Sequence, residues 1–134
     1  MSTRQNIFRY VKKKYGVLPD YPFPNAKSFP VLRHADNRKW FALIMDVPRE
    51  KLGLDGAERV DVINLKLGDP FFIDSLIQKP GYFIGYHISG GGWVSVLLDG
   101  TVELKEIYAL IDESFLRTAA KQKKQPRRPK KNEV

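Results

Sequence analysis

The residues best suited to recognition chemistry here are aromatic and basic, and they fall in strand-like runs. Trp40 follows Lys39, Lys66 follows Asn64-Leu65, and Trp93 follows three glycines. An indole face can stack a nucleobase or an apolar group, and an ammonium can neutralise phosphate or carboxylate. Strand alternation places Trp40, Asn64, Lys66, His87, Trp93 and Ser95 on one face of a sheet. The same tryptophans would also serve to fill a dimer interface or simply to cover the sheet. Other chemistry is weakly represented. His34 and His87 stand apart, without cysteine or a close carboxylate pattern, which makes a poor metal site. His87 reads best as a packed strand histidine, and His34, beside a turn, as exposed. Ser89-Gly90-Gly91-Gly92 could cradle an anion with backbone amides. It joins two strands and opens no helix, so it is a hairpin turn and not a nucleotide-binding loop. No nucleophile elbow, paired-carboxylate motif or Ser-His-Asp arrangement is recognisable. Asp112-Glu113 reads as the solvated face of a helix. No enzyme, metal or cofactor is expected.

Length and composition bound the answer. The chain has 134 residues, 43% of them hydrophobic and 12% aromatic, enough for one packed domain of useful core size. There is no cysteine, so disulfides and thiolate metal sites are excluded. The start Met1-Ser2-Thr3-Arg4-Gln5-Asn6 lacks a signal core. No apolar run approaches the roughly 20 residues that cross a bilayer. A cytoplasmic protein without a membrane partner is expected.

The net charge of +8 is unevenly placed. Residues 1–14 hold five basic residues, Arg4, Arg9, Lys12, Lys13 and Lys14, and no acid. Residues 121–134 hold seven, including Lys123, Lys124, Arg127 and Arg128, against Glu133 alone. The middle is net −3. The basic character therefore belongs to the two ends, and the globular middle is slightly acidic. The segment 121–134 has no apolar residue before Val134 and cannot bury enough surface to order itself. The expected division is one domain over 1–120 and a basic tail over 121–134. Such a tail could bind nucleic acid by counterion release or act only as a solvated end.

Apolar periodicity supplies the elements that must position these residues. Thr3 to Tyr15 reads as a helix, with Ile7, Phe8, Val11 and Tyr15 on one face and Arg9, Lys12 and Lys13 on the other. Four prolines make residues 17–30 an extended connection. Val31–Ala35, Trp40–Val47 and Val60–Leu67 read as strands, with a turn at Asp36-Asn37-Arg38. Asp69 caps and Pro70 opens a helix running to about Gln78. Tyr82–Ile88 and Trp93–Leu98 form a hairpin, and Leu104 to about Ala120 a final helix. The order α-β-β-β-α-β-β-α predicts an α+β, two-layer sandwich: a five-stranded, mainly antiparallel sheet with helices on one face. The more uniformly apolar rows, Phe41-Leu43-Met45-Val47 among them, should pack beneath the helices.

Several local matches carry a family resemblance. They are Lys39-Trp40, Asn64-Leu65-Lys66, Gly85-Tyr86-His87 before Trp93, Leu98-Asp99-Gly100, and Leu110-Ile111 with Ser114. Together they resemble the MmcQ/YjbR family of small bacterial proteins over roughly residues 3–118. The resemblance implies the same element order, in a fold similar to that of type III secretion chaperones, and DNA binding without catalysis. Two departures stand out. Family members commonly carry a basic or polar residue in the turn that is Ser89–Gly92 here, and often a tyrosine where this chain has Phe115.

Two functions compete on these grounds. The first is a non-enzymatic DNA-binding protein. Lys12, Lys13, Lys39 and the tail (Lys123, Lys124, Arg127, Arg128) would meet phosphate. Trp40, Asn64, Lys66, His87 and Trp93 would supply further contacts. The second is a protein-interaction or chaperone-like module, in which the same sheet face forms a homodimer or holds a peptide.

Overall fold

The computed structural model describes residues 3–25, 28–85 and 91–120. Helix α1 (Thr3–Tyr15) is followed by strands β1 (Val31–Arg33), β2 (Trp40–Pro48) and β3 (Arg59–Lys66). Helix α2 (Pro70–Leu76), strands β4 (Tyr82–Ile84) and β5 (Trp93–Leu97) and helix α3 (Leu104–Thr118) complete the predicted order. A short 3-10 turn, Arg49–Leu52, interrupts the β2–β3 loop. The Asp69 carboxylate accepts the Phe71 N–H at 3.0 Å, and Pro70 stands in the first turn of α2. The cap is thus the predicted one, but the helix stops at Leu76, short of Gln78.

The sheet runs β1-β2-β3-β5-β4, with every neighbouring pair antiparallel. The β3–α2–β4 connection carries the chain to the sheet edge. The hairpin then returns β5 to the centre beside β3. All three helices bury their apolar stripes on one face, where Ile7, Val11, Ile63, Leu65, Val94, Val96, Ile107 and Ile111 form the main core.

The register of β2 departs from simple alternation. Leu32 pairs with Ala42 and Arg33 with Trp40, so Phe41 is an extra residue in a bulge. The bulge turns Phe41 toward the helices and Trp40 away from them. Beyond it, Ala42 and Ile44 join the helix-side core, while Leu43, Met45 and Val47 line the opposite face. The expected placement of Leu43, Met45 and Val47 beneath the helices is therefore reversed, and only Phe41 of that row lies there.

The far face is also less open than the alternation suggests. Leu43, Met45, Val47, Val60, Val62 and Leu97 form a second core, overlaid by Phe23 and Phe29 from the proline-rich connection and by Leu52 and Leu54 from the β2–β3 loop. Apolar strand surface of this size is costly to leave in water, and the two loops cover it.

The start of β5 rests on a tight backbone crossing. The Gly92 carbonyl accepts the N–H groups of Leu67 at 2.7 Å and Gly68 at 3.0 Å. Gly92 has φ +79, and a Cβ there would lie 3.3 Å from the Gly68 Cα. Gly91 has φ +62 but open space around it. Gly91→Ala should therefore cost about 1 kcal/mol, from the left-handed backbone alone. Gly92→Ala should cost roughly twice as much, because strain and contact add. Urea denaturation of the two variants checks this, and equal costs would contradict the close approach.

Candidate functional site

One end of the sheet gathers most of the predicted recognition residues. Arg33 pairs with Trp40, Ala42 with Leu65, and Lys66 with Trp93, so the end of β1, the start of β2, the end of β3 and the start of β5 lie together. Helices α1 and α3 run parallel above them. Tyr10 stacks on Tyr108 with ring centroids 4.0 Å apart, and Tyr15 on Phe115 at 3.7 Å. Both helices therefore finish at this same end. The Asn37 side chain ties the β1–β2 turn to it, donating to the Thr118 carbonyl at 3.0 Å. Arg38 and Lys39 are thereby held beside the end of α3. The chain continues from Ala120 into the basic segment 121–134. Lys12, Lys13 and Lys14 in the last turn of α1, and the departure point of the C-terminal basic segment, thus lie at one end of the fold, while Arg4 at the start of α1 lies at the other.

The cations of α1 divide into two groups. Arg4 pairs with Asp61 at 2.8 Å, and Lys14 with Asp112 at 2.9 Å. Arg9, Lys12 and Lys13 are exposed and enter no ion pair among the described residues, and the same holds for Arg38 and Lys39. Lys12 and Lys13 also sit where the negative end of the helix dipole favours a cation. That placement stabilises α1 whether or not a ligand binds.

Several predicted residues take different roles from those expected. Asn64 and Ser95 do lie on the sheet face away from the helices, yet both are 0% exposed. The Ser95 hydroxyl donates to Asn64 Oδ1, and Asn64 Nδ2 points at Met45 Sδ, 3.3 Å away. They form a buried polar link between β3 and β5 and cannot touch a ligand from there. Lys66 and Trp93 are half-buried partners on that face. The Lys66 ammonium lies 5.7 Å from the Trp93 ring centroid and donates to the Gly91 carbonyl at 2.9 Å. Trp40 is half-buried and meets Phe23 edge-on, with centroids 5.8 Å apart. His87, Lys123, Lys124, Arg127 and Arg128 lie outside the described residues.

His34 is 5% exposed, not solvated as expected. Its ring packs against Phe41 and Phe115. The Thr118 hydroxyl donates to the Ser114 carbonyl at 2.8 Å, which leaves its oxygen to accept from His34 Nε2 at 2.9 Å. Burial pushes the His34 pKa down, against the smaller opposing pull of Asp36. The unfolded chain then takes up the proton at higher pH than the folded one. Stability from neutral His34 is complete above the ordinary histidine value of about 6.5 and is lost as pH falls below it. Melting temperature should therefore drop between roughly pH 7.5 and 5.5. His34→Gln should flatten that slope relative to the native chain, and an unchanged slope would contradict a buried neutral ring.

Asp112 is likewise not a solvated helix residue. It accepts the Tyr10 and Tyr15 hydroxyls, each at 2.6 Å, and the Lys14 ammonium at 2.9 Å. Burial alone would raise its carboxyl, but these three donors outweigh burial and hold it below its ordinary value. The cluster fastens the last turns of α1 to α3 and so positions Lys12 and Lys13. Glu113, by contrast, makes a surface pair with Arg117.

Sequence reasoning missed Arg38 as a candidate. It is a non-glycine residue at φ +65, and its place in an Asp-Asn-Arg turn was the available signal. The turn is built by Asn37, whose Oδ1 accepts the Lys39 N–H at 2.9 Å. Among the described residues there is no cluster of three metal-ligating side chains and no helix long and apolar enough to cross a membrane.

Fold and site together define a small α+β domain with a basic end, and comparison with known proteins gives the class. The YjbR family model matches residues 12–117. The chain belongs to the YjbR family. It is 45% identical over 115 residues to the uncharacterised protein YyaQ of Bacillus subtilis (strain 168), covering 86% of this chain and 97% of that one. It is similar to a Pseudomonas syringae protein solved by crystallography, with a TM-score of 0.82 and 46% identity over 87% of this chain and 98% of that one. A Deinococcus radiodurans crystal structure is more distant, with a TM-score of 0.65 and 25% identity over 87% of this chain and 78% of that one.

Proposed function

We propose that this chain is a non-enzymatic nucleic-acid-binding protein, with DNA the expected partner. It holds the phosphate backbone against the end of the fold where α1 and α3 finish. The observation that carries this reading is the convergence of Lys12, Lys13, Arg38 and Lys39, without ion-pair partners among the described residues, on the end from which the basic segment departs. Cations left unpaired in this way neutralise phosphates and release counterions, which gives sequence-independent affinity. A titration of labelled duplex DNA against the full chain tests it. With about six phosphates neutralised, affinity should fall by on the order of a thousandfold between about 50 and 200 mM salt. Removal of residues 121–134 should weaken binding and flatten the salt dependence. Binding indifferent to salt, or none, would sink the reading.

A protein-interaction role is the second reading. It is favoured by an apolar cleft of about 410 Å³ between α2 and the β4–β5 pair, lined by Ile73, Ile77 and Ile84 with Asp74. Phe71, in the first turn of α2, is 86% exposed. A partner held there would be released only weakly by salt.

A further inference from the structure

We infer that this basic end grips nucleic acid by its backbone alone, prefers a duplex to a single strand, and does not discriminate base sequence. The inference rests on the nucleic-acid reading above. Base recognition needs a free amide or guanidinium fork aimed at a base edge, or a free aromatic face for an unpaired base.

Among the described residues the amides and indoles at this end are already engaged, and no side-chain hydrogen bond holds the exposed guanidiniums of Arg9 and Arg38 in a fixed aim. The Trp93 ring has the Lys66 ammonium beside it at 5.7 Å, and that ammonium is itself anchored to the Gly91 carbonyl. Trp40 packs edge-on with Phe23 in the second core. The Asn64 amide is enclosed with Ser95 and Met45. Asn37 uses its Nδ2 on Thr118 and its Oδ1 on Lys39.

The side chains left facing solvent are mainly lysines, with Arg9 and Arg38, on α1 and the β1–β2 turn. An ammonium is a compact point charge that suits phosphate without fixing a base edge. With Trp40 packed on Phe23 and the Lys66 ammonium beside Trp93, phosphate density decides. A duplex carries one charge per about 1.7 Å of axis, about twice the density of one strand at the same rise.

The test compares three labelled oligonucleotides of equal length with the full chain at one salt concentration: an A·T-rich duplex, a G·C-rich duplex and single-stranded oligo-dT. The two duplexes should bind within about twofold of each other and share one salt slope, with the single strand weaker by at least about fivefold. Trp93→Ala, confirmed to be folded, should leave duplex affinity within about twofold. A preference above about tenfold between the duplexes, or tighter binding of the single strand, overturns the inference and leaves the nucleic-acid reading standing. Absence of binding to all three oligonucleotides overturns both.

Discussion

Ser114→Ala will destabilise the fold by about 2–4 kcal/mol, lowering the melting temperature by on the order of 10 °C. Ser114 is fully buried in α3, but its hydroxyl belongs to the sheet. It donates to the Phe41 carbonyl at 2.6 Å and accepts the Lys66 N–H at 2.9 Å. These two backbone groups belong to neighbouring strands just beyond Ala42–Leu65, the last pair of the β2–β3 ladder. The hydroxyl completes it from the helix above. Alanine fits the space and leaves a buried carbonyl and a buried N–H without partners, each costing about 1–3 kcal/mol. Differential scanning calorimetry reads the effect directly. A loss below about 1 kcal/mol would mean that β2 and β3 close the gap themselves, so that the bulge does not depend on α3.

Lys12→Glu with Lys13→Glu will weaken duplex binding at least about tenfold at moderate salt and lower the salt slope by roughly two, one for each lost phosphate contact. Both side chains are exposed and enter no ion pair among the described residues, so folding should survive. Loss of the helix-dipole interaction should cost at most about 1 kcal/mol for each residue. The control is Arg59→Glu, an exposed cation at the opposite end of β3 that sits beside Asp46. It should change affinity little. A loss in the control about half that of the double variant, in proportion to the one charge reversed against two, would indicate attraction by net charge alone, with no located surface.

The element order was legible because periodicity and punctuation agree. Asp69-Pro70 announces its helix, Asp36-Asn37-Arg38 its turn, and the rows Ile63-Leu65-Leu67 and Val94-Val96-Leu98 the helix-side core. Strand β2 was not legible. In Trp40-Phe41-Ala42-Leu43 every side chain can be buried, and nothing local marks Phe41 as the extra residue. Its bulge is specified by what packs above it, namely Tyr15, His34 and Phe115. The second core hid for a similar reason, since the aromatic residues that cover it come from a proline-rich stretch without periodicity.

The candidate site was legible in its charges and obscure in its polar groups. Lys12, Lys13 and Lys39 needed only exposure, which helical and turn positions supply. Asn64 and Ser95 have the chemistry of recognition residues, and only their three-dimensional pairing shows that they serve the sheet. Asp112 finds its tyrosine partners 97 and 102 residues away. No local pattern could distinguish it from Glu113 beside it.

Amide chemical-shift mapping of the full chain with a short DNA duplex tests the central claim most directly, because it reports binding and its location together. The account predicts shifts that grow with duplex and vanish with added salt. They should concentrate at residues 12–16 and 37–40 and the end of α3, with Asp46, Arg59 and Asp61 at the far end unmoved. No shifts at all, or shifts confined to the far end or to the α2 cleft around Ile73 and Ile77, would contradict it.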